Sequence, residues 1–233
     1  MASGELEPAI ILHCRPYRES SLFVDVFTRN HGRLRLLSKG ARRGRHPLAA
    51  LLRPFNRVRL SWTGRGELPV LTCAEPVSSG VELTGTAIFC GFYLCELVMS
   101  LQPLHDPHPG LYALCEDTLA RLGTTGDLER TLRRFELAFL EGIGYGMRLD
   151  EDVEGQAIKP DRRYVYDPEQ GPRETADEAA GACQGATLLA LRQGRLEDGM
   201  QLREAKRLLR SVLAHHLNGR PLKSRELFKP LPI

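Results

Sequence analysis

The sequence predicts an α+β protein: a five-stranded β-barrel over residues 1–80, then an α-helical domain over 81–233. Two observations carry this. Five short stretches rich in β-branched and aromatic residues, each bounded by turn residues, fit within about 75 residues, which is the spacing of a small closed barrel. From Thr84 onward the apolar period changes from two to that of a helix.

The five stretches are "PAIILHC", "SLFVDVFT", "RLRLLS", "FNRVRLSW" and "LPVLTCAE", with "RNHG" and "TGRGE" supplying turn chemistry. "TGTAIFCGFYLCELVMSLQ" is too long and too continuously apolar for a strand, so it predicts a central helix that Pro103, Pro107 and Pro109 end. "GLYALCEDTLARLG" follows as a helix with a glycine stop. In "DLERTLRRFELAFLEGIG", Leu128, Leu132, Phe135, Phe139 and Ile143 recur at helical spacing, with Asp127 to cap the start and Gly142 or Gly144 the end. Residues 144–173 lose all periodicity and predict an irregular surface excursion. "GATLLALRQG" and "QLREAKRLLRSVLAHHL" predict two further helices, the second with Leu202, Leu209, Val212 and His216 on one side.

Composition excludes several classes. With 42% apolar and 26% charged residues the chain is an ordinary globular one. No run approaches the roughly 20 apolar residues of a membrane span, and "MASGELEPAI" lacks a basic region followed by an apolar core, so a cytoplasmic protein is expected. The six cysteines include no CxxC and sit mostly in apolar stretches, as buried thiols do. His105 and His108 are separated by Pro107, which opposes a shared metal, and His215 and His216 diverge on a helix. No cofactor or metal is expected. "GIGYG" ends a helix rather than following a strand, so it predicts a helix stop and not a phosphate loop.

Charge is unevenly distributed. The first 80 residues hold 13 Lys and Arg against 6 Asp and Glu, and no acid occurs from Val26 to Gly66. Alternation places Leu34 and Leu36 on one side of their strand and Arg33 and Arg35 on the other; Val58, Leu60 and Trp62 likewise oppose Phe55, Arg57 and Arg59. The loop "SKGARRGRH" joins these strands, adding Lys39, Arg42, Arg43 and Arg45. A face built only for solubility interleaves both signs. The eight cations therefore predict a phosphate-binding surface, without base specificity. A barrel of the oligonucleotide-binding (OB) type normally adds stacking aromatics, and here Phe55 is the first candidate and Tyr17 a weaker one. Arg203, Arg207 and Arg210, with Lys206, make a second basic face on the last long helix, either solvated or a further DNA contact. Arg133 and Arg134 flank the apolar stripe of an earlier helix and could clamp the carboxylate end of an acidic peptide.

"LLSKGARRGRHPLAALLRPFNRVRL", "RRFELAFLEGIGYG" and the end "LNGRPLKSRELF" together resemble the RecO family of bacterial DNA repair and recombination mediators, in order and over nearly the whole chain. The resemblance implies an OB barrel with a helical C-terminal domain, a non-enzymatic, nucleoid-associated protein that binds single- and double-stranded DNA and anneals complementary strands. It implies contact with the acidic C-terminal tail of single-stranded-DNA-binding protein, and, with RecR, loading of RecA. The tail site would lie near Arg133 and Arg134. Many members carry a four-cysteine zinc module after the third helix, but here Cys183 is the one cysteine of that stretch, so the segment is expected to hold by packing and turns. Two other readings remain: an RNA-binding OB protein of the translation machinery, which a 2′-hydroxyl preference would reveal, and a metal-dependent hydrolase.

Overall fold

The computed structural model describes residues 6–42, 47–64, 66, 68–77, 82–176 and 179–228. Contacts divide the chain into two compact units, residues 1–125 with 222–233, and residues 126–221. The apolar period changes at Thr84, yet compactness groups the next two helices with the barrel.

The first unit opens with β1 (Glu7–Tyr17), β2 (Ser21–Thr28), β3 (Gly32–Ser38), β4 (Arg57–Thr63) and β5 (Val70–Pro76), closed in the order β1-β2-β3-β5-β4. β3 pairs with β5 in parallel, and β1 closes on β4 antiparallel. This is the five-stranded closed barrel that the sequence predicts. Alternation assigns the interior as expected, for Val24, Val26, Leu34, Leu36, Val58, Leu60 and Trp62 all lie in one buried cluster. Bulges after Ile11 in β1 and at Ser61/Trp62 in β4 bend the strands toward closure. A short helix α1 (Pro47–Leu51), which no periodicity announces, links β3 to β4.

Two long helices complete this unit, α2 (Thr86–Leu101) and α3 (Pro109–Thr124). His108 caps α3, its Nδ1 accepting from the Leu111 N–H at 3.1 Å, and Pro109 occupies the first turn. The imidazole is thus a structural cap. Both helices pack on the outside of the barrel: Phe55 meets Phe92 edge-on at 4.8 Å between ring centroids, and Phe27 approaches Tyr112 at 6.0 Å. The chain returns at a 3-10 turn (Lys223–Phe228), where the Glu96 carboxylate of α2 accepts from the Lys223 and Ser224 amides, both at 2.8 Å, and from Ser224 Oγ at 2.5 Å.

The second unit contains α4 (Leu128–Gly142), β6 (Arg163–Asp167), β7 (Gly171–Thr175), β8 (Cys183–Gln184), α5 (Gly185–Gln193) and α6 (Gly199–His216). Asp127 caps α4 as expected, its carboxylate accepting from the Arg130 N–H at 3.1 Å, while Gly194 ends α5 in the left-handed conformation. The excursion is more ordered than the sequence suggests. β6 and β7 form an antiparallel hairpin, with β8 on the other edge of β6. Its turn is built by Asp167, whose Oδ1 accepts from the Glu169 and Gln170 amides at 2.8 and 3.0 Å. Upstream, Asp152 Oδ1 folds its own loop by accepting from the Glu154 and Gln156 amides.

The entry to β3 allows a sharp stability test. Gly32 has φ +68°, and a Cβ there would stand 2.2 Å from the Asp106 carbonyl oxygen. Gly32→Ala combines left-handed strain with a backbone clash and is expected to cost about 3 kcal/mol, read as a lower urea midpoint.

Candidate nucleic-acid interface

The outward face of β1, β2 and β3 carries the side chains that alternation denies to the core, and its two ends differ. At one end Arg33 is half-buried and donates from its guanidinium to the Met99 carbonyl of α2, while its own carbonyl accepts from His105 N–H at 2.9 Å. Burial lowers the Arg33 pKa, opposed by the nearby Asp25 carboxylate and reinforced by Arg35. Arg57, on β4, is likewise half-buried, its Nη1 at 3.7 Å from Glu116 of α3. The four arginines do lie on the outer side of the barrel, as alternation predicts, but two of them are partly covered. The outside of a barrel is also where helices must pack, and α2 and α3 occupy that end.

Arg35 and Arg59 stay at the surface, each beside an acid on the facing strand. Arg35 Nε lies 2.9 Å from Asp25 Oδ1, and Arg59 Nη2 lies 3.3 Å from Glu75 Oε2, both pairs directly opposite in register. Phe55, expected as a stacking aromatic, is held at φ 74° with its ring against Phe92, so it belongs to the packing between barrel and α2.

The other end of the face is open. There the β1–β2 turn meets the loop after β3: Arg42 N–H donates to the Ser20 carbonyl at 2.9 Å and Arg42 Nη1 to the Arg18 carbonyl at 3.3 Å. Arg15, Arg18, Lys39 and Arg42 are all exposed, and Tyr17, Arg18, Ser20, Leu37 and Lys39 line an open groove of about 710 Å³ that also contains the acid Glu19. Tyr17 packs against Phe23 at 4.2 Å between centroids, with Arg15 over the Phe23 ring at 4.8 Å and Arg18 over Tyr17 at 5.2 Å. Arg15, Arg18 and Phe23 escape a reading based on the acid-free run, because they lie before it. For Arg15 the signal is alternation in β1, which puts His13, Arg15 and Tyr17 on one face. Arg43 and Arg45 lie outside the described residues.

In the second unit the two adjacent arginines of α4 part company. Arg133 is 6% exposed and bonds Glu136 Oε1 at 2.7 Å, so it belongs to the core. This corrects the expectation that both frame a groove, since the buried face of α4 extends past the Leu132–Phe139 stripe to Glu136 and Leu140 and takes Arg133 with it. Arg134 is exposed, donates to the Gly194 carbonyl at 3.0 Å, and lines a groove of about 290 Å³ between α4 and α5. Leu137, Ala138, Leu191 and Leu196 form its apolar wall, Arg130 and Arg192 join Arg134 as cations, and Glu141 is an acid in the same lining; Arg130 is also paired with Asp127. Arg130 is anchored by the Glu197 carbonyl at 2.7 Å and Arg192 by Asp150 at 2.6 Å.

The hairpin region does not fit a zinc site. Cys183 donates to the Tyr164 carbonyl at 3.7 Å, burial pushes its thiol up to about 12, and no cluster of three or more His, Cys, Asp or Glu stands among the described residues. No helix among them is long and apolar enough to cross a membrane.

The chain matches the family model described as recombination protein O N terminal over residues 1–79, and the corresponding C-terminal model over 83–226. It is 52% identical over 225 residues to the DNA repair protein RecO of Methylococcus capsulatus, covering 96% of this chain and 93% of that one. It is 42% identical to that of Halorhodospira halophila, covering 99% of both, and 41% identical to that of Nitrosospira multiformis, covering 97% and 95%.

The contrast within α4 predicts opposite stability effects. Arg133→Ala should destabilise the fold by about 3–5 kcal/mol, because it removes the charged partner 2.7 Å from a buried carboxylate, whereas Arg134→Ala should change stability by less than about 0.5 kcal/mol. Urea unfolding of the two variants measures the difference.

Proposed function

The chain belongs to the RecO family of DNA repair proteins, and from that premise we propose that it is a non-enzymatic recombination mediator that grips DNA phosphates at the open end of its barrel. The observation that carries this reading is one groove lined by Arg18 and Lys39, with Arg42 bonded to the Arg18 and Ser20 carbonyls at its edge and exposed Arg15 on the Phe23 ring that packs against Tyr17. Arg35 extends the surface at reduced strength, because Asp25 already satisfies part of its charge. Arg33 and Arg57 serve the packing of the helices, and Arg59 shares its charge with Glu75. Each phosphate neutralised releases counterions, so affinity should fall steeply with salt and carry little sequence preference.

Strand annealing follows from the same chemistry. Two strands repel each other through their phosphates, and a cationic surface that accepts both lowers that repulsion. The α4–α5 groove supports the second half of the proposal. An apolar wall rimmed by Arg130, Arg134 and Arg192 suits a short peptide that ends in acidic and apolar residues, and we assign it to the C-terminal tail of single-stranded-DNA-binding protein. Docked there, the protein is brought to coated single strands, where with RecR it helps load RecA. A cytoplasmic, nucleoid-associated location is part of this proposal.

Two experiments test it. Replacing Arg18, Lys39 and Arg42 together by Ala removes three contacts, so the log–log salt slope for a single-stranded oligonucleotide should flatten by about 2 and affinity should drop about 100-fold at 0.1 M salt. Arg59→Ala should leave affinity within about twofold, and equal loss in both proteins contradicts the assignment. In the second experiment, complementary strands coated with single-stranded-DNA-binding protein should anneal several-fold faster with the intact coat than with one lacking its tail. Arg134→Ala should abolish that difference while sparing the annealing of bare strands.

A further inference from the structure

The solvent face of α6 is a second cationic surface that the barrel site does not use. Arg203, Lys206, Arg207 and Arg210 are all exposed there, and with Met200 and Glu204 they line an open groove of about 460 Å³. Their spacing creates like-charge neighbours at i,i+3 and i,i+4 throughout, an arrangement that works against the helix. Acid is available to little of it. Glu204 is 6% exposed and turned inward, its Oε2 accepting from the Gln184 amide at 3.0 Å and from Thr187 Oγ1 at 2.5 Å, which leaves its Oε1 4.0 Å from Arg207. Lys206 has Glu129 at 2.7 Å, whereas among the described residues neither Arg203 nor Arg210 has an acidic partner. The solvated alternative would place acids among these cations at helical spacing, and α6 holds no other acid than Glu204.

Resting on the DNA-binding reading above, we infer that this face of α6 holds the sugar-phosphate backbone of a second DNA strand while the barrel holds the first. Arg203, Arg207 and Arg210 run about 10 Å along the helix axis, long enough to meet successive phosphates of one strand. An acidic peptide fits less well. The α4–α5 groove has the apolar wall such a ligand needs, whereas among the described residues Met200 is the single apolar side chain lining the α6 groove. One chain with two cationic surfaces binds two strands at once, and annealing becomes a reaction between strands tethered to the same chain rather than a collision in solution.

The test uses the full chain and short non-complementary oligonucleotides at low salt. The wild type should bind two strands per chain, and replacing Arg203, Arg207 and Arg210 together by Ala should leave one strand per chain, with affinity for that first strand within twofold. Annealing of bare complementary strands should slow at least tenfold. The corresponding triple Lys variant should restore both, because phosphate recognition needs charge rather than a fork. Unchanged stoichiometry and annealing in the Ala variant overturn the inference. So does a parallel loss of first-strand affinity, which would make α6 part of one extended site, or loss only of acidic-peptide binding, which would make it a protein site. If the wild type binds no DNA at all, the DNA-binding reading itself fails.

Discussion

Closing five strands into a barrel commits every second residue of each strand to the outside, and that outer surface must serve both the helices and any ligand. The remaining features of the first unit follow from how it is shared. α2 and α3 take one end, through Phe27, Phe55, Arg33 and Arg57, and leave the end where the β1–β2 turn meets the loop after β3. A long cation suits the covered end because its stem packs against apolar surface while its head reaches a carbonyl or carboxylate. What is left open is basic and edged by aromatic rings.

The acid-free run from Val26 to Gly66 is a property of the chain rather than of the surface. Asp25, Glu75 and Glu116 all lie outside it, yet each meets an arginine inside it: Arg35, Arg59 and Arg57. Folding therefore spends part of the apparent charge excess on cross-strand and helix contacts. Lys39 and Arg42 escape because they sit in a loop, where among the described residues the one carboxylate lining the neighbouring groove belongs to Glu19. The same logic separates the arginines of the second unit, where Arg133 is consumed by Glu136 and Arg134 is left at the groove.

Much of this was legible in advance, and the failures have physical causes. Alternation sorts Leu34, Leu36, Val58, Leu60 and Trp62 into the barrel because a strand has only two faces. The stripe of α4 and its Asp127 cap are read as directly. Which outward residues a helix will later cover is a tertiary fact, so Arg33 and Phe55 were misjudged although their faces were right. Glu136 carried a usable signal: it falls on the apolar stripe of α4, three residues from Arg133, the spacing of a buried ion pair. The β6–β7 hairpin was missed because "YVYDPEQGPRE" is short and half polar, and its turn is made by one Asp167 side chain.

The central claim is that the open end of the barrel, not its whole basic circumference, is the phosphate site. Hydrogen exchange of the full chain, with and without a single-stranded oligonucleotide, addresses it most directly. The account predicts slower exchange in residues 17–22 and 38–42 on adding DNA, with the β4–β5 pairing around Arg59 and Glu75 unaffected. Protection confined to β4 and β5, with the β1–β2 turn and the loop after β3 unchanged, would contradict it.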